Sequence, residues 1–170
     1  GTVPMEQVPG RVDGAGMNEI RDVVVKKLVT HNDERGYFRE LIRVTDDFFR
    51  EGFGQWSMSL MYPGIVKAWH IHRIQTDWWF VPSGTLKVAL HDARPDSPTS
   101  GMTQVLHMGE HCPPSILKIP PGVAHGCKCI SGPATLFYVT SHVYNPDDEG
   151  RRPHDDPSIG FDWLALPPIT

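Results

Sequence analysis

The sequence predicts an all-β fold, a β-sandwich or jelly roll built as a single domain, and two observations predict it. Sixteen glycines and 16 prolines in 170 residues supply many turns and oppose long helices, because proline removes a backbone donor and fixes φ. Runs with strand chemistry recur about every ten residues, a spacing typical of sandwiches and jelly rolls. The positions of the histidines favour the jelly roll.

The predicted strands are short apolar or alternating runs separated by turns rich in proline and glycine. The alternation is clearest in residues 85–91, where Leu86, Val88 and Leu90 share one face. The full set of predicted strands is 22–30, 36–44, 55–62, 66–72, 77–81, 85–91, 103–108, 115–119, 125–130 and 134–141.

One short helix is predicted over residues 45–52, with Thr45 as the N-cap and acidic residues in the first turn. Residues 1–16 are rich in glycine and proline and are expected to form a flexible N-terminal arm. Residues 17–170 are expected to form the jelly-roll domain. No internal repeat or interior linker suggests a second domain.

Charge and composition exclude several classes of partner. A formal net charge of -4 and a pI near 6.1 argue against nucleic-acid binding, since such proteins carry basic surfaces. No apolar run approaches the roughly 18 residues of a membrane span. Cys112, Cys127 and Cys129 are odd in number and form no CxxC motif. We interpret them as reduced thiols of a cytoplasmic protein.

Histidines and an acid form a candidate cluster. His70 and His72 lie two residues apart on a predicted strand, so both side chains project from one face. Asp77 begins the next strand, and His125 begins a later one after a proline-rich turn. Three imidazoles and a carboxylate can hold a divalent metal such as Fe, Mn, Ni or Zn with an open position. The alternative is a set of ordinary polar residues in a substrate pocket.

These positions resemble the two metal motifs of the cupin family, whose fold is a double-stranded β-helix, or jelly roll. Gly64 and Gly84 flank the His-x-His pair at the intervals of the first motif, and residues 120–125 match the second, P-x-G-x-x-H. Asp77 stands where cupins usually carry glutamate, and Cys129 stands where they often carry asparagine. The resemblance implies a metal at His70, His72, Asp77 and His125.

Further segments follow one another in a collinear order from Val23 to Trp163. They are DERGYFREL at 33–41, FGQWSMS at 53–59, HDARPDSPTSG at 91–101, IPPGVAHG at 119–126, FYVTSHVY at 137–144 and HDDPSIGFDW at 154–163. Together they resemble the dTDP-4-dehydrorhamnose 3,5-epimerase family of nucleotide-sugar enzymes, which are cupin-type jelly rolls.

The epimerase resemblance implies proton transfer next to a ketone. His70 would be the base, Asp156 or alternatively Asp155 its carboxylate partner, and Tyr138 the acid on the opposite face of the sugar. An imidazole titrates near neutral pH, and a neighbouring carboxylate fixes its tautomer. A phenol keeps its proton at neutral pH and can return one to a carbanion.

The same resemblance implies a set of substrate-binding residues and a homodimer formed through exchanged N-terminal strands. Phe38 would stack on the base of the nucleotide, and Arg35, Glu40 and Gln55 would help to hold it. The predicted substrate-binding residues are Arg35, Phe38, Glu40, Gln55, Lys67, His125 and Tyr144.

The departures from the epimerase pattern lie mainly in the predicted pocket. Lys67 replaces an arginine, which keeps the charge and loses the bidentate fork. Asp77 replaces a phosphate-binding lysine, and His154 replaces a tryptophan. His72 takes a position that the family fills with a residue that binds no metal. Asp77 and His72 are therefore the two changes that complete the candidate metal set.

Three functional hypotheses follow. The first is a sugar isomerase or epimerase that needs no cofactor and acts on a nucleotide sugar or a similar carbonyl substrate. The second is a metal-dependent cupin enzyme, an isomerase, lyase or dioxygenase, with one divalent ion at the His/His/Asp/His set. The third is a non-catalytic sugar-binding cupin. The first two compete for His70, because a metal-bound imidazole is not a free base.

Overall fold

The computed structural model describes residues 19–170. Its strands are β1 Val24–Lys27, β2 His31–Asp33, β3 Gly36–Phe38, β4 Gln55–Met61, β5 Val66–His72, β6 Asp77–Asp92, β7 Thr103–Gly109, β8 Ser115–Ile119, β9 Val123–Thr140 and β10 Glu149–Arg151. The predicted arm, residues 1–16, lies outside the described residues, so the division of the chain at residue 17 stays a prediction. The described chain contains no helix with the length and hydropathy of a transmembrane segment.

The strands form one large antiparallel sheet and one small hairpin. The large sheet has eight strands in the order β1-β8-β6-β9-β5-β10, with β4 added on β9 and β7 added on β6. Strands β2 and β3 form the hairpin. The long strands β6 and β9 pair with each other and carry neighbours on both sides, so they form the frame of the fold. The prediction of an all-β fold is confirmed.

Two pairs of predicted strands are each a single strand. Residues 77–81 and 85–91 are joined in β6, and residues 125–130 and 134–141 are joined in β9. The turn residues predicted between them become shifts of register inside the β6–β9 pairing. Gly84 allows this because its φ is +73°, and an added Cβ would lie 2.5 Å from the backbone of β9.

The predicted helix that begins at Thr45 is wrong. Only a 3-10 turn forms, Asp47–Phe49, preceded by Asp46, which makes no capping hydrogen bond with its side chain. The ring of Phe49 packs edge-on at 4.6 Å from the ring of Trp78. Contact with the sheet therefore fixes this segment, since a single turn without a cap has little stability of its own.

The core packs against both faces of β6. Leu86, Val88 and Leu90 are fully buried in the main hydrophobic cluster, which confirms the predicted face. Ala89 on the other face is buried as well, in a second cluster that contains Trp163. The C-terminal segment therefore covers the outer face of this strand.

A buried network of polar residues closes the end of β6. Asp92 is 0% exposed and accepts hydrogen bonds from Arg94 Nε at 2.9 Å, Ser97 Oγ at 2.6 Å and Thr99 Oγ1 at 2.7 Å. Burial alone raises the pKa of Asp92, and the hydrogen bonds outweigh it and hold that pKa well below its usual range. We call these four residues the Asp92 network.

Candidate active site

A cavity of about 260 Å³ lies within the β-walls and gathers most of the predicted site residues. The two catalytic hypotheses together depend on positions 70, 72, 77, 125 and 138, and all five line it. The predicted residues that line the cavity are Gln55, Lys67, His70, His72, Asp77, His125, Tyr138 and Tyr144.

Strand alternation explains why these side chains meet. His70 and His72 share one face of β5, and His125 on β9 is the partner of His70 in the register. Tyr138 lies further along β9, opposite Trp79 of β6. The long strand β9 therefore carries one histidine and one tyrosine into the same space.

His70 has a carboxylate partner at hydrogen-bond distance. Its Nδ1 lies 3.2 Å from Glu149 Oε1, and the two side chains are 32% and 18% exposed. Strand β10 pairs with β5 and brings Glu149 opposite His72 and Arg151 opposite His70. Burial raises the pKa of Glu149, but the hydrogen bond with His70 and the charge of Arg151 lower it more, so the net shift is downward. Glu149 therefore holds Nδ1 and leaves Nε2 of His70 for chemistry.

The predicted pairing of His70 with Asp156 is not the one that the structure shows. Asp156 Oδ1 accepts hydrogen bonds from the backbone N–H and the hydroxyl of Ser158, at 2.8 and 2.7 Å, and its other oxygen lies 4.0 Å from Arg152. The alternative residue, Asp155, is exposed. The C-terminal segment turns back on itself at this point, and neither acid lines the cavity.

Three further residues form a compact set of donor atoms, which we call the cavity trio: His72, Asp77 and His125. One ligand atom from each lies within 4.8 Å of the others. The His72 and Asp77 side chains are 13% and 6% exposed, and His125 is buried. His70 does not belong to this set. The predicted four-residue cluster is therefore three residues plus a separately paired histidine.

The trio is held in place by neighbours that leave ligand atoms free. His125 Nδ1 lies 3.2 Å from the carbonyl oxygen of Val123, which makes Nδ1–H the donor. Asp77 accepts hydrogen bonds from Gln75 Nε2 at 2.7 Å and from Trp79 Nε1 at 3.2 Å. Burial lowers the pKa of His125 to about 4, because its charged form has little access to water.

The remaining cavity residues supply polar groups. Lys67 Nζ donates to Ser59 Oγ at 3.0 Å. Gln55 Oε1 accepts from the backbone N–H of Tyr144 at 2.9 Å and so anchors the segment that follows β9. Of the lining residues that the structure describes, Lys67 is the one lysine or arginine.

Three predicted nucleotide-binding residues lie away from the cavity of their own chain. Arg35 and Phe38 belong to the β2–β3 hairpin and are exposed, and Glu40 follows it. Arg35 pairs with Asp33, and Glu40 pairs with Arg43. A single chain therefore does not bring them to the site.

Two of the three cysteines, Cys127 and Cys129, behave as buried apolar residues. Cys127 lines the cavity, and burial raises the pKa of its thiol to about 12. Cys129 lies in the main core cluster. The Cys127 thiol is therefore not prepared for nucleophilic attack, which requires the thiolate.

Sequence reasoning missed two acids. Asp148 is buried and accepts hydrogen bonds from the backbone N–H groups of Arg73, Ile74 and Gln75 at 3.0 to 3.1 Å. It fixes the turn between β5 and β6. Glu149 lines the cavity beside His70. In the sequence both belong to an acidic run that is typical of a solvated loop, so only the pairing of β10 with β5 reveals them.

The fold and the cavity define the protein as a cupin-type jelly roll with a polar internal cavity. A family model described as dTDP-4-dehydrorhamnose 3,5-epimerase matches residues 17–170, and the chain belongs to this family.

Known proteins agree with this assignment. The chain is 50% identical over 147 residues to the spore coat polysaccharide biosynthesis protein SpsL of Bacillus subtilis, covering 85% of this chain and 96% of that protein. It is 37% identical over 153 residues to the probable low-salt glycan biosynthesis epimerase Agl13 of Haloferax volcanii, covering 88% and 97%.

Solved structures give the same result. The dTDP sugar isomerase of Desulfovibrio desulfuricans superposes with a TM-score of 0.80 at 30% identity, covering 87% of this chain and 94% of that chain. The predicted cupin jelly roll and the predicted family are confirmed. The chain is an isomerase of the epimerase type.

Proposed function

We propose that this enzyme inverts a carbon next to the ketone of a nucleotide-linked 4-keto-6-deoxy sugar. His70 Nε2 removes the proton on that carbon, and the electron pair moves onto the ketone oxygen as an enolate. The hydroxyl of Tyr138 then returns a proton to the opposite face. The observation that carries the proposal is the His70–Glu149 pair in the same cavity as Tyr138.

The roles of the other residues follow from their positions. Glu149, in place of the predicted Asp156, fixes the tautomer of His70 and stabilises the imidazolium formed by proton removal. Lys67 is the cation available to the enolate oxygen or to the diphosphate. Names of relatives support the substrate class, since NovW, with a TM-score of 0.79 at 26% identity, is described as a 4-keto-6-deoxy sugar epimerase.

Solvent exchange tests the proposal. The wild-type protein is incubated in D₂O with dTDP-4-keto-6-deoxyglucose, and the sugar is examined by NMR and mass spectrometry. We expect deuterium at C3, C5 or both, because a proton held on His70 or Tyr138 exchanges with solvent. An identical incubation without enzyme is the control. A sugar that gains no deuterium above this control would contradict the proposal and would favour the non-catalytic alternative.

The competing hypothesis of a four-ligand metal centre is less well supported. It needs His70 as a ligand, but Nδ1 of His70 faces Glu149, and the donor atoms that converge belong to the cavity trio. Family membership adds a proton-transfer reaction that requires no cofactor.

We also propose that the enzyme is a homodimer. Strand β4 pairs with β9 and presents alternate apolar side chains outward, with Trp56, Met58 and Leu60 exposed by 65%, 66% and 50%. An apolar row of this kind on one strand favours a protein partner. In the dimer the β2–β3 hairpin would carry Arg35 and Phe38, followed by Glu40, to the partner's nucleotide.

Light scattering tests the assembly. We expect twice the subunit mass of 19.1 kDa for the wild type. Met58→Glu should lower the mass toward one subunit, because it places a charge in the interface. Val105→Glu, on another exposed strand position, is the matched control. A wild-type mass of one subunit would contradict the dimer.

We propose the cytoplasm as the location. Cys112, Cys127 and Cys129 are free thiols in the structure, as expected in a reducing compartment. Fractionation of the native host tests this, with recovery in the cytosolic fraction as the expected result and recovery with the envelope as the contrary one.

A further inference from the structure

We propose that the cavity trio, His72, Asp77 and His125, binds one divalent transition-metal ion while His70 stays free as the base. Any role of the ion toward the sugar rests on the proposed function, whereas binding of the ion is independent of that function.

The donor atoms are close enough for one ion. An ion at a shared centre, about 2.0–2.2 Å from each nitrogen and oxygen, needs ligand atoms no more than roughly 4.4 Å apart. The trio's ligand atoms lie within 4.8 Å of one another, and His72 Nδ1 is 4.0 Å from Asp77 Oδ1. Small rotations of the side chains close the remaining gap.

The neighbours of the trio match those that orient metal ligands. Metal-bound histidines usually donate their second ring N–H to a carbonyl or a carboxylate, and bound carboxylates accept further hydrogen bonds. His125 has this contact with the carbonyl of Val123, which leaves Nε2 available. Asp77 is held by Gln75 and Trp79 through uncharged donors, which leaves its charge unneutralised.

The ligand set indicates the class of metal. Two imidazoles and one carboxylate suit Fe, Mn, Co, Ni or Zn, whereas Mg and Ca prefer all-oxygen sites. Three protein ligands also leave at least one coordination position open. That position faces the cavity, because all three residues line it.

The charges in the cavity indicate what a bound ion would do. Asp77 and Glu149 both line a space whose described lining holds Lys67 as its one lysine or arginine. Glu149 already pairs with Arg151 at 3.4 Å, whereas Asp77 has no lysine or arginine partner among the described residues. Its carboxylate repels an anionic sugar nucleotide, and a divalent ion offsets that charge. When bound, such an ion supplies Lewis-acid polarisation of a ketone or phosphate oxygen.

The separation of His70 from the trio changes the relation between the two catalytic hypotheses. The sequence makes His70 either a metal ligand or a base. In the structure, Glu149 holds His70 Nδ1, and the trio has its own three donors. One cavity therefore accommodates both a base and an ion.

Cobalt binding tests the site without substrate. The purified protein is stripped with EDTA, dialysed, and titrated with Co²⁺ while visible absorption and metal content are measured. We expect one ion per chain with the d–d bands of a site that contains nitrogen ligands. His72→Gln and Asp77→Asn should each weaken binding by about 100-fold or more, since each removes a ligand. His107→Gln, an exposed histidine on β7, is the matched control and should bind as the wild type does.

Each outcome decides the question. A stripped wild type that takes up no Co²⁺ overturns the proposal whether or not the variants fold. Unchanged binding in both trio variants, with circular dichroism equal to the wild type, also overturns it. Deuterium exchange by the EDTA-treated enzyme is measured on the same sample. Exchange without bound metal leaves the proposed function standing when the metal site fails, so the two failures are distinguishable.

Discussion

Two carboxylates sit at opposite ends of strand β6, and the protein treats them differently. Asp92 and Asp77 are both buried, at 0% and 4% exposed. Asp92 pairs with the guanidinium of Arg94 and accepts from two hydroxyls. Asp77 accepts from an amide and an indole, and among residues 19–170 it has no lysine or arginine partner; the imidazole of His72 lies 4.0 Å away.

The difference separates a structural carboxylate from one with spare binding capacity. Charge and hydrogen bonds fully satisfy Asp92, which ties the end of β6 to the turn after it. Asp77 faces a cavity together with two histidines and keeps a charge that a ligand can offset. A buried acid without a cation is costly unless something binds it. The Asp92 network therefore stabilises the fold, whereas Asp77 of the cavity trio lies where a ligand can reach it.

Removing the charge of Asp92 should have the largest effect on stability. Asp92→Asn leaves Arg94 without its buried partner, and we expect the free energy of unfolding to fall by about 2–4 kcal/mol. Urea unfolding measures this. Asp22→Asn is the control, because Asp22 is an exposed partner of Arg94 and its loss should cost less than about 1 kcal/mol. Equal losses in the two variants would contradict a structural role for Asp92.

The Asp92 network also predicts how the free energy of unfolding changes with pH. The pKa of Asp92 is lowered on folding, so the unfolded chain takes up this proton first as the pH falls. Its contribution is complete above the ordinary aspartate pKa of about 3.9 and is lost progressively as the pH falls from there toward the lower pKa of the folded state. The difference in urea midpoint between wild type and Asp92→Asn should therefore be smaller at pH 3 than at pH 7. A difference that stays constant over this range would contradict the account.

Glu149 offers the next test, in the cavity. Glu149→Gln removes a charged hydrogen bond to His70, worth about 1.5–3 kcal/mol, so kcat for deuterium exchange should fall roughly 10- to 100-fold. KM should change little, because the effect acts through the base. Glu149→Asp should recover part of the rate. A loss confined to KM, or no recovery by aspartate, would mean that Glu149 does not position His70.

Asp77 should show the smallest effect on stability. Asp77→Asn keeps the shape of the side chain and removes a charge that lacks a full ionic partner, so metal-free protein should change by less than about 1 kcal/mol. Urea unfolding in EDTA measures this beside Asp92→Asn. A destabilisation as large as that of Asp92→Asn would remove the distinction between the two ends of β6.

Periodicity predicts the parts of the site that lie on regular strands. The two-residue spacing of His70 and His72 places both in the cavity. Alternation also predicts the buried face of Leu86, Val88 and Leu90. These predictions succeed because a strand projects alternate side chains to opposite faces whatever its neighbours are.

Long-range pairing decides what the sequence pattern does not. Glu149 reaches His70 only because β10 pairs with β5 across a long stretch of chain. Asp156 has the sequence position that the epimerase resemblance assigns to the partner of His70. Its carboxylate instead accepts a hydrogen bond from Ser158 in a local turn. The predicted helix at 45–52 fails because packing against Trp78 outweighs weak local propensity.

Cobalt binding by His70→Gln tests most directly whether the base and the metal ligands are separate. The variant and the wild type are titrated with Co²⁺ and then assayed for deuterium exchange in D₂O. We expect the same metal content and visible spectrum in both, with exchange about 10²- to 10⁴-fold slower in the variant. A His70→Gln protein that loses its cobalt, or that keeps the wild-type exchange rate, would contradict the account.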